Sequence, residues 1–195
     1  MIPRHFQITI ALVLLAILVS GVVIIRLTHK EEALALQGAE SVPVAPVAGK
    51  QERIQILIAY DEDQALRWRP TDVFLPADRG LRARETLRSV LAQYLQNPSP
   101  HPLARGADIR NVYFISDDTM IVDTTAQFAD GHPSGILLEE MTLASLIETL
   151  TANVPGVNKV KFLVEGKERE TLAGHADLMS FYRTGMAHEL AKEFE

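Results

Sequence analysis

His175 and Asp177 come nearest to a chemical pair in this chain. Alternate residues of an extended segment point to one side, and a carboxylate beside an imidazole can orient the ring or hold its proton. Two such groups make neither a metal site nor a nucleophilic triad. The pair therefore reads either as a contact for a ligand or partner, or as a structural turn in which Gly174 permits a tight bend and His175 hydrogen-bonds the backbone. Trp68 stands between Arg67 and Arg69 and is the single tryptophan. Exposed, an Arg-Trp-Arg patch would suit a glycan or a protein partner, because aromatics and arginines dominate contact energies. The favoured reading makes Trp68 a core residue instead.

Other signatures of catalysis fail one by one. There is no cysteine, no Gly-x-Ser-x-Gly elbow and no phosphate-cradling glycine loop. His188-Glu189 begins a zinc-protease-like motif, but position 192 is lysine where a second histidine is required. Asp61-Glu62-Asp63 resembles the start of a calcium loop, without its glycine or distal glutamate. His132-Pro133 reads as loop chemistry. Glu139, Glu140 and Glu148 are expected on the outer face of one helix and Arg82, Arg84 and Arg88 on another, as solvated faces or a subunit boundary. The expectation is a protein with no catalytic residues, no metal and no cofactor.

The elements that would position these residues can be read from periodicity. Ile54 to Tyr60 alternates as a strand and Leu66 to Leu75 suggests a second. Asp78 precedes a helix from about Leu81 to Gln96, with Leu87, Val90, Leu91, Tyr94 and Leu95 on its buried face. Proline-rich residues 97–102 stop it. Asn111 to Ile115 and Thr119 to Asp123 form a hairpin around Ser116-Asp117-Asp118. Ser134 is expected to cap a second helix, Gly135 to Asn153, with Ile136, Leu143, Leu146, Ile147 and Leu150 on one face. Val160 to Val164 is a strand, and Glu170 to Leu172 a short return strand. The fold class is α+β: a mixed or antiparallel sheet with two helices packed on one face, plus an N-terminal transmembrane helix.

Phe6 to Ile25 holds no charge and is long enough, at ~1.5 Å per residue, to span ~30 Å of hydrocarbon. A cleavable signal peptide is the alternative, for which Val19-Ser20-Gly21 is a poor site. Without cysteine a lipid anchor is excluded. The organisation is then a tail (1–5), a membrane anchor (6–26), a linker (27–52) made semi-rigid by Pro43 and Pro46, an α+β domain (53–178) and a C-terminal tail (179–195) with a possible short helix. Flanking charges do not decide orientation. From Arg53 to Arg110 nine arginines meet seven acidic residues, and from Asn111 onward six basic residues meet fourteen acidic ones. Such asymmetry suits self-association or a charged partner. A net charge of −6 without a basic stripe argues against nucleic acid.

Residues Leu143 to Asp177, with Thr149-Leu150-Thr151 closing a helix and Leu172-Ala173-Gly174-His175-Ala176-Asp177 closing the run, resemble the second half of the GerMN (sporulation and spore-germination) domain. The likeness extends more weakly from about Arg53 to Leu178, through Arg105 to Phe114 and Met120 to Asp123. Met179-Ser180-Phe181-Tyr182 lacks the family's proline. The resemblance implies an extracytoplasmic, non-enzymatic assembly module that packs against envelope proteins or its own copies. The alternative is a module that binds a small molecule or cell-wall fragment near His175, Asp177 and Trp68; an envelope hydrolase is the third reading.

Overall fold

The computed structural model describes residues 49–185. The expected membrane anchor and the C-terminal helix lie outside the described residues, as does most of the linker. Among the described residues no helix is long and apolar enough to cross a membrane.

Strands β1 (Lys50–Tyr60) and β2 (Ala65–Leu75) form an antiparallel hairpin in full register from Lys50↔Leu75 to Tyr60↔Ala65. Helix α1 (Arg79–Tyr94) follows, and Asp78 caps it by accepting the Leu81 N–H at 2.8 Å. Strands β3 (Ile109–Phe114) and β4 (Thr119–Thr124) pair antiparallel, as their alternating apolar residues predict. After a short helix α2 (Ala126–Asp130) comes α3 (Ile136–Asn153). Strand β5 (Lys159–Val164) runs parallel to β4, and β6 (Tyr182–Arg183) pairs antiparallel with β5.

The expected single sheet is in fact two, the β1–β2 hairpin and a four-stranded sheet in the order β3-β4-β5-β6. The return strand expected at Glu170 to Leu172 is also different: that segment makes only an isolated bridge between Thr171 and Asp177, and β6 takes the place beside β5. One apolar core unites the sheets and helices, with Ile56, Leu57, Ile58, Leu91, Phe128, Leu146 and Phe162 at most 1% exposed.

The two long helices do not both lie on a sheet face. Helix α3 runs along the free edge of β1. Thr149 Oγ1 accepts the Leu57 N–H at 2.9 Å, the Tyr94 hydroxyl accepts the Ala59 N–H at 2.9 Å, and Asn153 Nδ2 donates to the Gln55 carbonyl at 2.7 Å. Ser145 completes the series by accepting from the Tyr94 hydroxyl at 2.9 Å. Residues 145, 149 and 153 recur at the four-residue helical spacing, so their side chains take the place of a neighbouring strand. An edge that would otherwise invite another chain is thereby closed.

This role explains why α3 departs from its expected one-sided pattern. From Met141 to Leu150 every residue is buried, polar ones included. Ile136, expected on the buried face, is 61% exposed. The helix begins at Gly135 and not with a Ser134 cap; the Gly135 N–H is bonded instead by Glu139 Oε1 at 3.2 Å.

Candidate functional site

Glu139 is the most heavily bonded side chain near the predicted pair. It was expected on an outer face, yet it is fully buried. Its Oε2 accepts the backbone N–H groups of Ala173, His175 and Ala176 at 3.0, 3.0 and 2.9 Å. Its Oε1 accepts from His175 Nδ1 at 2.9 Å. The loop 172–176 therefore forms a nest of amides around a carboxylate carried in on α3. Gly174 has φ +120°, the backbone conformation that lets successive amides converge.

Burial alone would raise the Glu139 pKa, but the hydrogen bond from His175 and those from the three amides outweigh it, and the carboxyl falls to about 2. The group is a fixed anion. It cannot act as an acid or a base near neutrality.

His175 thus has Glu139 as its partner. Asp177 turns the other way and accepts the Met179 N–H at 2.7 Å; hydrogen bonds from Ser180 and then Met179 hold its carboxyl below the usual range. The two residues are neighbours in sequence with separate structural tasks. Arg67 and Arg69 sit on β2 positions that alternate with Trp68, so the three do not form one patch. Arg67 pairs with Asp63 at 2.7 Å and lies over the Tyr60 ring, while Arg69 reaches the Tyr60 hydroxyl at 3.4 Å. Trp68 is 40% exposed, against the expectation of a core residue. Its strand face is buried only toward Leu66, Leu57 and Ala59.

A second buried cluster was not anticipated. Asp61 Oδ1 lies 2.5 Å from His101 Nδ1; His101 Nε2 lies 2.6 Å from Thr142 Oγ1; His132 Nε2 lies 2.7 Å from the same oxygen; His132 Nδ1 lies 2.7 Å from the Pro133 carbonyl. The protons can be placed by donor and acceptor chemistry. A carbonyl only accepts, so His132 Nδ1 carries hydrogen. Burial, together with the neighbouring His101, keeps His132 below its ordinary pKa and hence neutral, so its Nε2 is an acceptor that shares the one Thr142 hydroxyl hydrogen with the Leu138 carbonyl, 3.0 Å from Oγ1. Thr142 Oγ1 also bonds His101 Nε2, and the other ring nitrogen of His101 bonds Asp61.

The order Asp61–His101–Thr142 has the outline of an acid, base and hydroxyl triad. Thr142 is wholly buried and His101 is 1% exposed, so no substrate reaches the hydroxyl. The chain instead ties the β1–β2 turn, the proline-rich loop and the 131–134 loop to α3. His101 gave no signal in sequence beyond its prolines, because its partners lie 40 and 41 positions away. The acidic run at Asp61 is likewise no calcium loop: Asp61 is committed to His101 and Asp63 to Arg67. Among the described residues no cluster of His, Asp or Glu is placed to hold a metal ion.

Glu148, the third acidic residue placed on the outer helix face by sequence, is also buried, and so is Arg84 on α1. Arg82 pairs in two-pronged fashion with Glu52, at 2.9 and 2.5 Å, and Arg88 with Asp108, at 2.9 and 2.6 Å. The charges of α1 are spent within the domain.

No curated protein matches the chain. Solved structures similar to it include a proposed lipoprotein from Clostridium perfringens, at 18% identity and TM-score 0.47, covering 72% of this chain and 91% of that one. The tandem GerMN domains of the sporulation protein GerM from Bacillus subtilis are similar at 19% identity and TM-score 0.49, over 67% of this chain and 45% of that one. The first GerMN domain of GerM alone gives 20% identity and TM-score 0.43, over 66% and 94%. The family model for Germane, sporulation and spore germination, matches residues 58–170, and the chain belongs to that family.

Proposed function

We propose that this protein is a non-enzymatic interaction module of the bacterial cell envelope, held at the cytoplasmic membrane by Phe6 to Ile25 with its Germane domain on the extracytoplasmic side. The observation that carries this reading is a set of large apolar side chains left exposed on and beside the strands. Trp68 and Phe74 are 40% and 61% exposed on the hairpin, and Tyr113 and Ile115 are 49% and 59% exposed on and just after β3. Aromatic residues on an otherwise polar surface are typical anchors of protein contacts. The polar groups best placed for chemistry support the same reading from the other side, since Glu139, His175, Asp61, His101 and Thr142 are bonded to one another and to backbone.

Confinement to a membrane layer raises the effective concentration of the domain for partners in the same layer, so individually weak contacts suffice. Partners are other envelope proteins or further copies of this chain. The test is crosslinking in cells that express the full-length chain with a C-terminal tag, using a membrane-impermeant reagent and mass spectrometry of captured species. Capture of self-copies or envelope proteins is expected. A labelled protein without partners would sink the assembly role, and absence of labelling would place the domain on the cytoplasmic side.

A further inference from the structure

The outward face of the four-stranded sheet carries a charge conflict. Lys159 and Arg183 are direct cross-strand partners on β5 and β6. The Thr184 N–H donates to the Asn158 carbonyl at 3.0 Å, which makes the adjacent Lys159–Arg183 pair a non-hydrogen-bonded one, the kind that brings side chains closest. Like charges directly opposite each other destabilise a sheet. Neither residue forms an ion pair among the described residues.

The surroundings do not remove the conflict. Lys161, two positions along β5 on the same face, pairs with Glu168. The Asp118 carboxylate keeps its charge and acts on Lys159 through space, which offsets the conflict in part, but it forms no ion pair with Lys159 or Arg183. Beside the two cations Phe181 is 42% exposed, with Lys161 Nζ 5.5 Å from its ring centre. Thr119, Lys159, Phe181 and Arg183 line a cleft of about 340 Å³. Among the described residues no further strand pairs with the outer edge of β6.

From this juxtaposition we infer that Lys159, Arg183 and Phe181 form a docking site for an acidic, extended peptide segment of a partner protein. Carboxylates of the peptide would sit between the two cations, an apolar residue would cover Phe181, and the peptide backbone would follow the open β6 edge. The ring and the edge favour a peptide over a polyphosphate or an acidic glycan, neither of which has use for a strand edge. The inference rests on the interaction role proposed above and gives it a partner chemistry.

The experiment uses the full-length chain and a fluorescein-labelled peptide of repeating glutamate-serine-valine-serine, which sets carboxylates and apolar side chains on one strand face, followed by fluorescence anisotropy. Saturable binding is expected, weakened at least about tenfold in K159E/R183E and weakened by salt. The same repeat with lysine in place of glutamate should then bind the double variant and not the parent. Equal binding of the acidic peptide to parent and double variant overturns the site, as does displacement by inorganic polyphosphate as effective as by unlabelled peptide. The charge conflict has its own check: K159E alone, facing Arg183, should raise the melting temperature, and an unchanged or lower value removes the premise. In cells, partners captured equally by parent and double variant would refute this site and leave the interaction role standing, whereas no capture by the parent would refute that role itself.

Discussion

Glu139 Oε1 and His175 Nδ1 lie 2.9 Å apart although 36 positions separate them in sequence. The same carboxylate gathers three amides of the loop that carries His175, so the contact fastens the loop 172–176 to α3 at one buried point. Removing the carboxylate leaves several donors without a partner in a place water reaches poorly. Glu139→Ala should cost at least about 3 kcal/mol, since each stranded buried donor costs about 1–3 kcal/mol. His175→Ala should cost less, because it removes one donor and leaves the three amides bonded. Urea unfolding of the two variants checks the ranking, and equal losses would show that the imidazole and not the nest holds the carboxylate.

Acid should weaken the fold in two separate windows. His132 has a folded pKa below its ordinary 6.5, so as pH falls past 6.5 the unfolded chain takes up a proton that the folded chain does not, and stability drops. Glu139 has a folded pKa of about 2 against 4.5, so its contribution is complete above 4.5 and is lost as pH falls from there toward 2. Melting temperatures measured from pH 8 to pH 3 should show both slopes. His132→Gln should flatten the first and Glu139→Gln the second.

Thr142 is the joint of the buried histidine chain, bonded through Oγ1 to a ring nitrogen of each histidine. Thr142→Val keeps the shape but strands His101 Nε2 and His132 Nε2, a loss of about 2–4 kcal/mol. Thr142→Ser, which restores the hydroxyl, should recover most of it. Failure of serine to recover more than valine would mean that packing of the methyl group, and not the hydroxyl, matters at this position.

Hydroxyls on two helices close the β1 edge, which makes a prediction about single amides. Thr149→Val should speed hydrogen exchange at the Leu57 amide and Tyr94→Phe at the Ala59 amide, each with about 1–3 kcal/mol of lost stability. Exchange followed by nuclear magnetic resonance would resolve the two sites. Protection unchanged at both would contradict the role of the hydroxyls as stand-ins for a strand.

Trp68 offers a quick optical check, because it is the only tryptophan and is 40% exposed. Its emission in the folded protein should be red-shifted relative to a buried indole and readily quenched by acrylamide. Trp68→Ala should leave stability within about 1 kcal/mol, as expected for a residue outside the core. A blue-shifted, poorly quenched emission would return this residue to the interior.

Gly131 should not tolerate even a methyl group. A Cβ built there would lie 2.3 Å from the Ala104 Cβ, so the loops holding His101 and His132 would have to separate. Gly131→Ala should therefore lower stability by about 1–3 kcal/mol. Calorimetry of the variant measures it.

Sequence by itself determined the elements whose signals are local. Strand alternation at Ile54 to Tyr60 and Asn111 to Ile115, the Asp78 cap and the helical spacing of Leu87, Val90, Leu91 and Tyr94 all depend on residues within a few positions of one another. The Gly174 turn was also legible, because a glycine before a polar residue at a chain reversal marks an unusual backbone angle. Tertiary structure alone decided which polar groups are buried and with whom. Glu139 looks like a solvent-facing acid beside Glu140 until a loop 34 to 37 positions later brings three amides to it. Asp61, His101, Thr142 and His132 carry no common spacing, and only the meeting of two loops and a turn on α3 makes them a chain. Periodicity reports which side of an element faces inward, but a polar side chain is stable inside only where distant partners satisfy it, and that information belongs to the folded arrangement.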